Sequence, residues 1–139
     1  MNNQNELFSI YDAIIVQDSP IHGRGVFATK NIMEGTLIER CPMLKLDFPS
    51  KYHCDLKILD YAFARPSDSP WQDHGWDLYL IMGYGMLYNH QDIPSASITF
   101  NYDLNYADIT ATKDILSGSE ICISYGPLYF MNKIGRAHV

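Results

Sequence analysis

The sequence predicts a mostly β fold, and three observations carry that reading. Apolar and β-branched residues fall in short runs, as in Tyr11–Val16 and Ile121–Ile123. Turn-forming groups such as Met33-Glu34-Gly35, Asp103-Leu104-Asn105 and Ser117-Gly118 punctuate those runs. Helical periodicity is thin throughout.

Taken in order, Tyr11 to Val16 reads as a first strand. Gly25 to Ile32 and Thr36 to Leu46 flank the Met33-Glu34-Gly35 turn and read as two antiparallel strands. Cys54 to Ala64 suits a short helix, although Tyr61 and Phe63 would equally suit a strand. Arg65-Pro66-Ser67-Asp68-Ser69-Pro70 is a loop by composition. Met82 to Asn89, with two glycines, makes a tight turn. Ser97 to Tyr102 alternates, turns, and returns through Tyr106 to Thr112 as a hairpin. Ile121-Cys122-Ile123 is a short buried strand. No internal repeat, linker or low-complexity tract interrupts the pattern, so the expected organisation is one domain over 1–139 with its core at about 11–130.

Composition narrows the function. The 139 residues are 47% hydrophobic, enough for a globular core, and no apolar run is long enough to span a bilayer. The polar start, Met1 to Glu6, lacks the basic and apolar regions of an export signal. An intracellular site is therefore expected, in the cytoplasm, or in the nucleus of a eukaryotic source or host. Net charge is −6 with no Lys or Arg cluster, which argues against direct nucleic-acid binding. Asp55, Asp60, Asp68, Asp73 and Asp77 crowd one stretch, and Asp103, Asp108 and Asp114 another. Most should form a solvated surface, with some attraction for a basic partner. Cys41, Cys54 and Cys122 show no metal-ligand spacing and read as buried thiols, so no metal is expected.

Three segments carry chemistry. In His22-Gly23-Arg24-Gly25-Val26-Phe27-Ala28, two glycines spaced by one residue let backbone pass close to a ligand. It lacks the third glycine of a dinucleotide fingerprint. Gly83-Tyr84-Gly85-Met86-Leu87-Tyr88-Asn89-His90 ends in an amide and an imidazole, with no marked Ser or Cys nucleophile to partner the histidine. Glu120-Ile121-Cys122-Ile123-Ser124-Tyr125-Gly126 places a tyrosine at the end of a buried strand, followed by Tyr129 and Phe130. Alone, each has a bland reading: a turn, a structural histidine, a core aromatic.

In this order, the three resemble the hallmark motifs of the SET domain, especially its minimal viral and bacterial forms, over roughly residues 11–130. The resemblance implies a β-clip fold of short twisted sheets with a C-terminal pseudoknot and little helix. It implies a protein lysine methyltransferase that uses S-adenosylmethionine, releases S-adenosylhomocysteine and needs no metal. Carried over, it places His22, Gly23, Arg24 and Gly25 at the methionine part of the cofactor. Asn89 and His90 fall at its amino group and adenine. Tyr125 is then catalytic and beside the cofactor, and Tyr61, Tyr129 and Phe130 line or cover the lysine channel. The implied substrate is a basic, lysine-containing protein or peptide, such as a histone.

Three departures bear on this. Where the family continues Asn-His-Ser and then Pro-Asn, this chain reads Asn89-His90-Gln91-Asp92-Ile93-Pro94-Ser95. The cysteine-rich post-SET module is missing, and 14 residues follow Tyr125, Leu128, Tyr129, Phe130, Met131 and Ile134 among them. Apolar residues there must pack on their own domain or on a neighbour, so a homodimer is expected. Ser124, where many relatives carry an acid, keeps open a catalytically weak module that binds a peptide partner. A related β-clip domain of the sugar-acid synthase type is opposed by the intact Asn89-His90 and Tyr125.

Overall fold

A computed structural model of the chain describes residues 12–46, 61–66 and 76–124. Among these residues lie nine strands: β1 (Ile14–Asp18), β2 (Arg24–Ala28), β3 (Leu37–Lys45), β4 (Phe63–Pro66), β5 (Trp76–Ile81), β6 (Asn89–His90), β7 (Ala96–Asn101), β8 (Tyr106–Ala111) and β9 (Glu120–Ile123). They form a four-stranded sheet, β1-β2-β9-β6, and a five-stranded sheet, β4-β5-β3-β8-β7. Pairing is antiparallel except between β6 and β9, which run parallel.

The mostly β expectation is met, and the β7–β8 hairpin forms where the alternation placed it. Its turn is closed by Asn105, whose φ is 56°, and by the Leu104 N–H donating to Asn101 Oδ1 at 2.9 Å. The expected pairing of the second and third strands is a correction. The turn at Met33–Gly35 exists, but β2 pairs with β1 and β9 while β3 pairs with β5 and β8. Residues Gly25–Ala28 are buried in succession, so β2 is covered on both faces and sits inside its sheet, partnered along both edges. The segment after Gly35 therefore crosses to the other sheet.

That crossing has a counterpart. Thr29-Lys30-Asn31-Ile32-Met33-Glu34-Gly35 matches Thr112-Lys113-Asp114-Ile115-Leu116-Ser117-Gly118 in its Thr-Lys, Ile and Gly positions. The two segments bridge at Ile32 and Ile115 and exchange equivalent bonds. Gly35 N–H donates to Ala111 O and Gly118 N–H to Ala28 O, both at 2.8 Å. Glu34 N–H donates to Asp114 Oδ1, and Ser117 N–H to Asn31 Oδ1. Both glycines adopt φ 88°. Only four positions match and the polar partners differ in type, so the pattern is faint without the bonds.

Strand β5 lies where the sequence showed none, and β4 begins at Phe63, which suited either a strand or a helix. In β5, Asp77 is buried at an inward position, and its carboxylate lies 3.6 Å from Lys45 Nζ. The polar residue breaks the apolar alternation and hides the strand, and Asp77 departs from the expected solvated surface. Arg65 and Pro66, read as loop, belong to β4, an edge strand where a proline costs no ladder bond. The five-stranded sheet curls until its edge strands meet. Phe63 of β4 lies 5.7 Å from Phe100 of β7 between ring centroids, and the Arg65 guanidinium sits 3.9 Å over the Tyr102 ring. Val26, Ile38, Tyr88, Ile109, Ile121 and Ile123 join both sheets in one core. Cys41 is a buried free thiol within it, and Cys122 is a buried free thiol of β9 whose pKa burial pushes up to about 11. Cys54, most of the suggested helix and the tail expected to form the pseudoknot lie outside the described residues.

Candidate functional site

The four-stranded sheet brings the separated motifs together. Register pairs Val26 with Ile121 and Phe27 with Glu120, and on the other side Asn89 with Cys122. Strand alternation therefore sets Gly25, Asn89 and Glu120 on one face. Val26, Ile121 and Ile123 turn to the opposite face, where they fill the core.

At the glycine turn, Ser19 N–H donates to Gly23 O at 2.8 Å, and Gly23 takes φ 50°. His22, Gly23 and Arg24 are exposed, so their backbone is open to a ligand, whereas Gly25 is buried. A Cβ at Gly25 would overlap the Glu120 carboxylate and press on Asn89 Nδ2 at 3.0 Å. This glycine is required by close approach.

Asn89 is 7% exposed and held by three acceptors. Its Nδ2 donates to Glu120 Oε2 at 2.7 Å, to His22 O at 3.1 Å and to Arg24 O at 3.3 Å. Oxygens converge on one side of the amide, which fixes its orientation: nitrogen toward the turn, oxygen away. Among the described residues nothing donates to Asn89 Oδ1. Among the described residues the acceptor is therefore unmet, and a ligand's donor suits it.

Glu120 is the residue that sequence reasoning missed. Its second oxygen accepts from Ser19 Oγ at 2.7 Å, so one carboxylate ties β9 to both the glycine turn and the asparagine. A glutamate at a strand start reads as solvated, and only the pairing of distant strands reveals its task.

His90 is mostly covered, with Nε2 3.0 Å from Asp92 Oδ1, while Asp92 itself is 96% exposed. The unusual turn after it returns to β9. Gln91 N–H donates to Ile123 O at 3.0 Å and Ser95 N–H to Cys122 O at 3.1 Å, while Ser95 Oγ accepts from Cys122 N–H at 3.1 Å. The departure at 91–95 thus leaves the edge built. Tyr61 is half-buried just before β4. Tyr125, Tyr129 and Phe130 lie outside the described residues, although Tyr125 directly follows Ser124, beyond the β9 end that pairs with His90.

A second missed carboxylate lies against the turn that leads to Asn89. A register shift between Leu37 and Glu39 turns both Ile38 and Glu39 inward. Glu39 is 1% exposed, and burial raises its carboxyl above the usual range against the pull of its hydrogen bonds. Tyr84 N–H donates to Oε2 at 2.9 Å and the Tyr88 hydroxyl to Oε1 at 2.8 Å. No group of three or more His, Cys, Asp or Glu that could hold a metal ion occurs among the described residues.

Two interlocked sheets that carry a glycine turn, an Asn-His edge and a strand end in one place define a β-clip domain. The chain belongs to the SET-domain family, whose model matches residues 23–126. It is 29% identical over 125 residues to a Schizosaccharomyces pombe histone-lysine N-methyltransferase specific for H3 lysine-37, covering 88% of this chain and 80% of that one. A solved Plasmodium falciparum protein, assigned as a histone methyltransferase, shares 30% identity at a TM-score of 0.62, over 85% of this chain and 96% of that one. The Neurospora SET-domain protein DIM-5, a histone lysine methyltransferase, has the same fold at a TM-score of 0.57, with 19% identity over 81% of this chain and 52% of that one.

Proposed function

We propose that this protein transfers a methyl group from S-adenosylmethionine to a lysine side chain of a protein substrate. The observation that carries the reading is the unmet Asn89 Oδ1 beside an open glycine turn, within a chain of this family. An ammonium group is the donor that such a buried acceptor suits, and the amino group of the cofactor supplies one. His22, Gly23, Arg24 and Gly25 would hold the methionine part through backbone, and His90 would lie by the adenine. The cofactor supplies an activated methyl on a positively charged sulfur.

This chain's residues have two tasks. One is to align the amine with the methyl in a straight displacement, which positioning alone accelerates greatly. The other is to receive that amine neutral. A free lysine has a pKa of about 10.4, so deprotonation at pH 7 costs roughly 4–5 kcal/mol, and an apolar channel lowers that cost. Tyr125 would orient the neutral amine through its hydroxyl, with Tyr61, Tyr129 and Phe130 as channel walls. A basic substrate such as a histone suits the net charge of −6 and the activities named for the Schizosaccharomyces pombe and Plasmodium falciparum proteins.

The test is calorimetric titration with S-adenosylmethionine, followed by methylation of histones and basic peptides read by mass spectrometry. Binding and a 14 Da gain on lysine are expected for the wild type. Tyr125→Phe should bind but turn over poorly; undiminished turnover would remove Tyr125 from the mechanism. Pairing of two copies through the apolar tail belongs to the same proposal, and a single species at 15.9 kDa in sedimentation equilibrium would refute it.

A further inference from the structure

We infer that Glu39 is a positioning residue for the Asn89 edge: it locks the 82–88 turn so that the cofactor-binding amide arrives preorganised. The inference rests on the reading that Asn89 receives the cofactor's amino group. Strand β6 is two residues long and too short to place itself. It is fixed on its far side by Gln91 N–H on Ile123 O. On its near side the chain comes from Tyr88, whose ring is fully buried and whose hydroxyl ends on Glu39.

Turn and carboxylate are shaped to each other. Gly83 takes φ 65°, and a Cβ there would overlap Glu39 Oε2. The same oxygen receives Tyr84 N–H, and Leu87 N–H closes the turn on Tyr84 O at 2.8 Å. Each Glu39 oxygen thus holds one end of the turn, the start through Tyr84 and the finish through Tyr88. A carboxylate accepts at both oxygens. A glutamine of equal size can keep both ends, accepting Tyr84 N–H at its oxygen and donating an amide N–H to the Tyr88 hydroxyl oxygen. The clamp therefore needs a two-ended polar group and not merely its volume, and a hydrophobe of similar size would pack without it.

The experiment compares wild type, Glu39→Leu, Glu39→Gln, Tyr88→Phe, the Glu39→Leu/Tyr88→Phe double variant and Ile115→Val, a core truncation at the crossing turns. Two readouts are taken: the dissociation constant for S-adenosylmethionine by calorimetry, and the Asn89 side-chain amide resonances of the cofactor-free protein. Glu39→Leu and Tyr88→Phe should each weaken binding by about tenfold, the double variant no more than Glu39→Leu, which already breaks the Tyr88 bond, while Glu39→Gln stays near wild type. In Glu39→Leu and Tyr88→Phe the Asn89 amide resonances should move toward solvent-averaged positions, while Ile115→Val lowers the melting temperature without either effect. Unmoved resonances in Glu39→Leu and Tyr88→Phe overturn the inference, leaving Glu39 as packing. A wild type that binds no cofactor sinks the functional reading instead, and the resonances still decide the role of Glu39.

Discussion

Replacing Gly25 with alanine adds a single methyl group, and the structure states where it must go. The new Cβ would overlap the Glu120 carboxylate and touch Asn89 Nδ2, so one or both side chains must withdraw. Gly25 is absent from the residues with positive φ, so the whole cost is steric. Overpacking of this kind costs about 1–3 kcal/mol. Losing the bond from Asn89 to a carboxylate adds roughly 1.5–3 kcal/mol, less whatever solvent recovers at half-buried Glu120. A total of about 3 kcal/mol is expected, read as a drop in the denaturant midpoint. Gly23→Ala is the control. Its Cβ meets nothing within 4 Å, but its φ of 50° is left-handed, so the cost is backbone strain of about 1–2 kcal/mol with Asn89 untouched. Gly25→Ala should also weaken cofactor binding by about tenfold or more, the equivalent of 1.4 kcal/mol, and Gly23→Ala by much less. Equal losses in the two variants, or the reverse order, would refute the close-approach reasoning.

Other perturbations separate the remaining parts. Asn89→Ala removes the unmet acceptor and should cost roughly 1.5–3 kcal/mol of cofactor affinity, measured by calorimetry against wild type. Because burial raises the folded-state pKa of Glu39 above 4.5, its proton stabilises the fold fully below that pH. That stability is lost as pH rises through the raised value, so a slope in denaturant midpoint across this window should vanish in Glu39→Gln. Removing Asn31 or Asp114 by alanine should destabilise by about 1 kcal/mol each, since each side chain caps the opposite crossing turn, and proteolysis should then cut faster at 29–36 and 112–119.

What the sequence disclosed, and what it hid, follows from range. The β7–β8 hairpin was legible because alternation and turn chemistry are local, and Asn105 supplies the left-handed residue in place. The three motifs were legible as an ordered set, although their meeting on one sheet depends on β9 lying between β2 and β6. Glu120 and Glu39 were invisible because both act through partners dozens of residues away, Ser19 and Asn89 for one, Tyr84 and Tyr88 for the other. β5 was hidden by a buried aspartate whose counter-charge, Lys45, sits on another strand. Local pattern reports the faces of strands; it does not report which strands are neighbours.

The reciprocal crossing turns set a constraint on how the chain is made. Glu34 waits for Asp114, 80 residues later, and Asn31 for Ser117, 86 residues later. Strand β2 cannot gain its inner neighbour until β9 has been synthesised, and β3 stands half-paired until β8 emerges. During translation the first forty-odd residues therefore carry buried-type strands with open edges, the state in which nascent chains seek holdase chaperones or aggregate. Folding is dominated by distant pairings and should be slow for a chain of this length, with closure of the Ile32–Ile115 bridge as a late step. A ribosome-stalled chain ending before residue 112 should remain protease-sensitive, whereas one with both turns clear of the exit tunnel should resist.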